Sequence, residues 1–157
     1  MAHARLRTVA TTGTNGKTTT TSMVAAIVAA AGEPSARVTT VGAWVAGELI
    51  PAPTPMAEFL GAVERAVDAG VRTLALEVTS KALASGIARQ WPPHVAVFTN
   101  LTRDHLDVHG SPEAYLAAKA QLFMALPPGG VAVMNADDPS SALLGEVMPP
   151  GVRVERF

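Results

Sequence analysis

Short apolar runs alternate along this chain with longer stretches in which apolar residues recur every three or four positions. Residues 8–12 are small and β-branched, as in a buried strand, and residues 18–31, rich in Ala, Met, Val and Ile, read as a helix. Gly32 stops that helix and Pro34 prevents its continuation. Residues 37–41 form a second β-branched run, and residues 44–50 predict a short hairpin arm with Gly47 in its turn. After the stiff segment 51–55, Thr54 is suited to cap a helix that opens on Pro55. Phe59, Leu60, Val63 and Val67 mark the buried stripe of that helix, and Gly70 ends it. Residues 73–78 make a strongly apolar strand with Glu77 near its end. Trp91-Pro92-Pro93 is another stiff link, and residues 94–99 are a further buried strand. Ser111 caps a helix opened by Pro112 and Glu113, with Tyr115, Leu122 and Phe123 on its apolar side. A turn over 127–130, a strand over 131–134 and a helix over 139–147 complete the pattern.

Strands separated by helices need crossover connections, so the expected fold class is α/β, a mostly parallel sheet flanked by helices. In such sheets ligands gather beyond the C-terminal ends of the strands. The polar residues follow that rule. A Gly- and Thr-rich loop follows the first strand, Glu77 closes another, and 100–107 and 135–138 follow two more.

The loop reads Thr12-Gly13-Thr14-Asn15-Gly16-Lys17-Thr18-Thr19. Between a strand and a helix, such a turn aims backbone N–H groups at one point, where the helix dipole favours an anion. Lys17 would reach the β- and γ-phosphates of a nucleotide, and the Thr18 hydroxyl would sit on Mg²⁺. This makes the chain P-loop NTPase-like, with Thr11 standing where the general pattern has Gly. Beside such a loop, Glu77 reads as a metal ligand, because Mg²⁺ takes carboxylate oxygens together with phosphates and water. The segment Arg103-Asp104-His105-Leu106-Asp107-Val108-His109 crowds five ionisable groups into seven residues. A zinc pair of His105 and His109 is disfavoured, since Gly110 ends the stretch and no third ligand is evident. His105 is assigned a metal or phosphate role and His109 a structural one. Read from the residues alone, Lys119 is a surface charge on an amphipathic helix. Glu64, Arg65, Asp68 and Arg72 read as a solvated helix face, and Trp44, Trp91 and His94 as packing or loop residues. The hydrolase pattern G-x-S-x-G does not occur.

Composition narrows the partners. The 157 residues suit one domain, and 48% hydrophobic content with a net charge of −1 describes a globular chain. No basic stripe is present, so nucleic acid is not expected. The absence of Cys removes disulfides and thiol chemistry and suits a reducing cytoplasm. The longest apolar stretch, 23–31, is too short to span a bilayer and follows the loop, so no membrane partner is expected. Only 4% of residues are aromatic while Ala is abundant, which predicts close packing of helix on sheet.

The loop at 12–19, Glu77-Val78-Thr79-Ser80, the run 99–110, residues 115–123 and Asn135-Ala136-Asp137-Asp138 together resemble the central ATP-binding domain of the Mur ligases, most closely the MurE type. That resemblance implies an ATP-dependent amide-bond ligase of peptidoglycan precursor synthesis. A carboxylate of a UDP-MurNAc-peptide-like substrate is activated as an acyl phosphate and then taken by an amine. By match to the family motifs, Gly13, Thr14, Asn15, Gly16, Lys17, Thr18 and Thr19 would hold ATP, and Asn135 would lie near the adenine. Lys17 would stabilise the transferring phosphoryl group. Thr18 and Glu77 would hold one Mg²⁺, and His105 a second. Lys119 falls where the family carries a carbamylated lysine, which would assist that second ion; Lys17, His105 and Lys119 are thus the implied catalytic residues.

The resemblance also implies that residues 1–157 are the middle domain alone, with the N-terminal UDP-binding and C-terminal domains outside the chain. Missing functions would come from domains in trans or from self-association. Two motifs depart from the family. Ala52-Pro53-Thr54-Pro55 stands where Asn-Thr-Thr-Pro is usual, and Thr79-Ser80-Lys81 where Ser-Ser-His is usual. These departures bear on recognition of the sugar-peptide more than on ATP. A stand-alone Mg·ATP-binding module, one subunit of a split ligase, and a P-loop NTPase of another class are the competing readings. The last is disfavoured by the downstream motifs.

Overall fold

The computed structural model describes residues 5–51, 54–102 and 110–157. The chain packs as two compact units, one of residues up to Val9 with Thr18–Glu77, the other of Ala10–Lys17 with Val78–Phe157. Strand β1 (Arg7–Thr12) contributes its first half to one and its second half to the other.

The first unit contains α1 (Lys17–Ala30) from Thr18 on, β2 (Ser35–Thr39), β3 (Gly42–Val45), β4 (Glu48–Ile50), α2 (Pro55–Asp68) and β5 (Thr73–Glu77). Its strands lie in the order β4-β3-β2-β5-β1. β2 pairs with β5 in parallel, Ala36 opposite Leu74 and Val38 opposite Leu76. β2–β3 and β3–β4 are antiparallel. The β3–β4 turn places Ala46 and Gly47 at φ of 49° and 87°, the hairpin expected around Gly47. Helix α2 begins as the sequence predicts. Thr54 accepts a hydrogen bond from the Ala57 amide at 3.2 Å, and Pro55 occupies the first turn, where its missing N–H costs nothing.

The buried stripe of α2 is Phe59, Ala62, Val63 and Ala66. Leu60, expected inside, is 51% exposed, and Val67 is half-buried. The spacing of three and four residues runs through the alanines, which carry no bulk to advertise it but let the helix backbone approach the sheet closely. Helix α1 is apolar yet buries only Thr21 and Ala25, leaving Met23 and Ile27 exposed.

The second unit contains α3 (Ser80–Ala84), α4 (Ile87–Gln90), β6 (Val95–Phe98), α5 (Pro112–Met124), β7 (Val131–Met134), α6 (Ser140–Glu146) and β8 (Arg153–Arg156). From β1 the strand order is β6-β7-β8, with β6–β7 and β7–β8 parallel. Helix α5 opens on its predicted cap, Ser111 accepting from the Ala114 amide at 3.1 Å. Its Phe123 meets Phe98 edge-on, with centroids 6.4 Å apart, so one aromatic pair ties the helix to β6. Helices α3 and α4 and strand β8 were not predicted. The two helices have five and four residues, and β8 is exposed throughout, so none carries a periodic apolar signal. Each unit is thus a layered α/β structure whose crossover strands are parallel, as expected. Among the described residues no helix is long and apolar enough to cross a membrane.

Candidate functional site

The loop leaves β1 through Thr11 and Thr12, both fully buried. Gly13 follows at φ 152°, and a Cβ there would overlap the Thr99 hydroxyl. No residue but Gly fits that approach. Two residues beyond β6 then fix the loop. The Thr14 amide donates to the Asn100 carbonyl at 2.8 Å and the Asn15 amide to Asn100 Oδ1 at 2.9 Å. The Asn15 carbonyl accepts from Thr99 Oγ1 at 2.7 Å and Asn100 Nδ2 at 3.2 Å. The loop's peptide groups are therefore oriented by protein before any ligand binds. Lys17 folds back so that its Nζ donates to the Thr14 carbonyl at 2.8 Å. From Lys17 onward the first-turn N–H groups of α1 have no helical acceptor, the usual provision for an anion. Thr19 is exposed in that turn.

In the first unit, Thr18 Oγ1 donates to Glu77 Oε2 at 2.8 Å. The same carboxylate receives the Thr40 amide at 3.1 Å and the Thr40 hydroxyl at 3.3 Å to each oxygen. Glu77 is only 9% exposed, and no described Lys or Arg pairs with it. A nearly buried carboxylate held by neutral donors, with no described cation paired to it, is a place that a cation would suit. The donors are all oxygen, the chemistry that suits Mg²⁺. Among the described residues no group of three His, Cys, Asp or Glu gathers.

In the second unit, Lys119 overturns the residue-only expectation of a surface charge. It is 1% exposed. Its Nζ donates to the Gly13 carbonyl at 2.8 Å and lies 4.2 Å from the centroid of the Tyr115 ring, one helical turn earlier. Asn135, at the end of β7, donates to the Thr99 carbonyl at 2.8 Å and accepts the Asp137 amide at 3.0 Å. Asp138 receives the Leu101 amide at 2.6 Å and the Ser140 amide at 2.8 Å. Asn135 and Asp138 thus strap the segment beyond β6 to the end of β7. Ala52, Pro53 and the run 103–109, His105 and His109 included, lie outside the described residues.

The Mur ligase middle domain matches residues 11–157, nearly the whole chain. The chain belongs to the Mur ligase family. It is 46% identical over 149 residues to a UDP-N-acetylmuramoyl-L-alanyl-D-glutamate–2,6-diaminopimelate ligase of Synechococcus elongatus, covering 93% of this chain and 30% of that one. The ligase of the same name from Geobacter sulfurreducens is 44% identical over 147 residues, covering 88% and 29%. The chain therefore spans about a third of the length of the curated relatives it matches. A solved structure of a ligase of this name superposes with a TM-score of 0.79 at 33% identity, over 96% of this chain and 31% of that one. The Escherichia coli protein FolC, solved with DHPP and ADP, shares the fold with a TM-score of 0.73 at 22% identity, over 99% and 45%.

For this Mur ligase domain, the sequence-predicted residues sort by unit. Thr18 and Glu77 meet in the first, and Gly13, Thr14, Lys17 and Lys119 are linked by hydrogen bonds in the second. The residue reading placed 100–107 at the ligand edge of the sheet but gave no role to four contributors. Thr40 sits in a Thr-Thr pair beyond the end of β2, and its place past a strand terminus was the available signal. Thr99 and Asn100 hold the loop, and Tyr115, read as apolar packing, brings its hydroxyl within 3.3 Å of Thr14 Oγ1.

Proposed function

We propose that residues 1–157 are the single ATP-handling domain of an ATP-dependent ligase that joins an amino acid to a UDP-MurNAc-peptide-like carboxylate in peptidoglycan precursor synthesis. The observation that carries this reading is the Thr18–Glu77 hydrogen bond one residue beyond Lys17, in a chain 46% identical to a ligase of that name. In this reading an oxygen of the substrate carboxylate attacks the γ-phosphorus of ATP, the bond to the β-phosphate oxygen breaks, and ADP leaves. An amine nitrogen then attacks the acyl carbon, phosphate departs with the C–O bonding pair, and the nitrogen loses its proton to form the amide. Phosphoryl transfer asks mainly for positioning and charge neutralisation. The amides from Gly16 into α1 orient the phosphates, and Lys17, with one N–H on the Thr14 carbonyl, offers its others to a phosphate oxygen.

Thr18 and Glu77 would hold one Mg²⁺, which neutralises phosphate charge when bound. A second ion would involve His105 by family resemblance and Lys119. Carbamylation of Lys119, in which its neutral amine nitrogen adds to CO₂ and releases a proton, turns the buried cation into an anion suited to that ion. A carbonyl resonance from ¹³CO₂ on the wild-type chain, absent in Lys119→Met, tests that step. The relatives are about three times as long, and the reading assigns to this chain only the ATP-handling part of their reaction. Asn135 stays assigned to the adenine side, with its amide already engaged on both atoms.

The deciding experiment is calorimetric titration of Mg·ATP into the chain, with Lys17→Ala alongside. Saturable binding that the substitution abolishes is expected. Equal binding by both proteins would sink the reading of the loop.

A further inference from the structure

The hydroxyl of Thr14 has three neighbours. It accepts the Thr102 amide at 3.0 Å, and it lies 3.5 Å from the Thr102 carbonyl and 3.3 Å from the Tyr115 hydroxyl. A hydroxyl has one hydrogen and two lone pairs. All three are used when Thr14 donates to the Thr102 carbonyl and accepts from the Thr102 amide and the Tyr115 O–H. Thr14 is 5% and Tyr115 2% exposed, so water does not replace a lost partner there. One turn further along α5, Lys119 donates to the carbonyl of Gly13 and rests over the Tyr115 ring. Helix α5 therefore grips two successive loop residues, one by its carbonyl and one by its hydroxyl.

We infer that Tyr115 is a positioning residue for the phosphate loop: its hydroxyl holds the Thr14 side chain and its ring holds the Lys119 amine against the Gly13 carbonyl. Because Thr14 and Asn15 are the residues whose amides Asn100 orients, freeing Thr14 loosens the geometry that faces an anion. The consequence for ATP rests on the proposed function; the grip on the loop does not.

The test reads the loop without nucleotide. Tyr115→Phe keeps the ring and removes the hydroxyl. Hydrogen exchange of the Thr14 and Asn15 amides is expected to quicken about tenfold, while the interior amides of α5 exchange as before. In a Thr14→Val background the same substitution should quicken the Thr14 and Asn15 amides no further, since the Tyr115–Thr14 contact is already gone, and Thr14→Ser should keep wild-type protection. Unchanged loop protection in Tyr115→Phe, or full additivity with Thr14→Val, overturns the inference. Should Tyr115→Phe fail to fold, Thr14→Val against Thr14→Ser decides, and equal protection in the two overturns it. In a separate arm, Tyr115→Phe should raise the Kd of Mg·ATP about tenfold and leave that of adenosine unchanged. A wild-type chain that binds no ATP would sink the nucleotide reading while the exchange result still judges Tyr115.

Discussion

Thr18 and Glu77, 59 residues apart in the chain, share a 2.8 Å hydrogen bond in which the hydroxyl of the helix's first turn donates to a carboxylate that no described cation neutralises. In the proposed function this carboxylate is where Mg²⁺ would sit, so the arrangement is tested by titrating a divalent ion.

Glu77→Gln keeps the shape and removes the charge. Affinity for Mg·ATP is expected to fall about 10- to 100-fold, as when a group holding a metal is altered, with ATP binding in EDTA unchanged. Calorimetry with and without Mg²⁺ checks this, and an equal loss in both conditions would assign Glu77 to the nucleotide rather than to the ion.

Thr40 steadies Glu77 by two donors, and Thr40→Val removes only the hydroxyl, leaving the amide. The expected cost is small, a roughly threefold weaker Mg·ATP affinity and under ~1 kcal/mol of stability. A loss as large as that of Glu77→Gln would mean that the Thr40 hydroxyl touches the ion itself.

Gly13→Ala meets the Thr99 hydroxyl and a backbone angle that side chains avoid. Unfolding free energy in urea is expected to drop by about 2–4 kcal/mol. Combining it with Thr99→Ala should recover the steric part but not the backbone part. A stable Gly13→Ala single variant would contradict the close approach of loop and β6.

Two charge deletions should differ sharply in size. Lys119→Met, inside the second unit, strips the Gly13 carbonyl of its donor and is expected to destabilise by about 1–3 kcal/mol. Arg65→Ala breaks an ion pair with Glu48 at 2.8 Å, but both side chains are more than half exposed, so the change should stay below ~0.5 kcal/mol. Paired denaturation curves decide, and similar shifts for the two would refute the burial of Lys119.

The elements that carry a full period were legible from the sequence. β1, α1, α2, β5 and α5 were read within one or two residues, and the caps at Thr54 and Ser111 were read outright. The strand expected over 37–41 lies at Ser35–Thr39 because residues 40–41 make the turn into β3. Of the candidate site, Gly13, Lys17, Thr18 and Glu77 were legible because glycine, lysine and a strand-end acid each announce their chemistry. Lys119 was not legible from residues alone. Burial of a lysine depends on a carbonyl 106 positions away, and local pattern holds no trace of it. The roles of Thr99, Asn100 and the Tyr115 hydroxyl were not legible for the same reason, since each acts on a distant stretch of the chain. Alanines 62 and 66 hid the true face of α2 because a stripe is usually sought among large side chains.

The Lys17 ammonium already donates one of its three N–H groups to the Thr14 carbonyl. In the proposed function its other N–H groups would meet a phosphate oxygen while the Thr14 carbonyl holds the ammonium at the loop. Lys17→Ala then removes two things at once, a donor to phosphate and a brace on the loop. Because the Thr14 carbonyl would share the ammonium with an arriving phosphate, occupancy of the loop should register as a shifted carbonyl signal at residue 14 and in the amide that follows it.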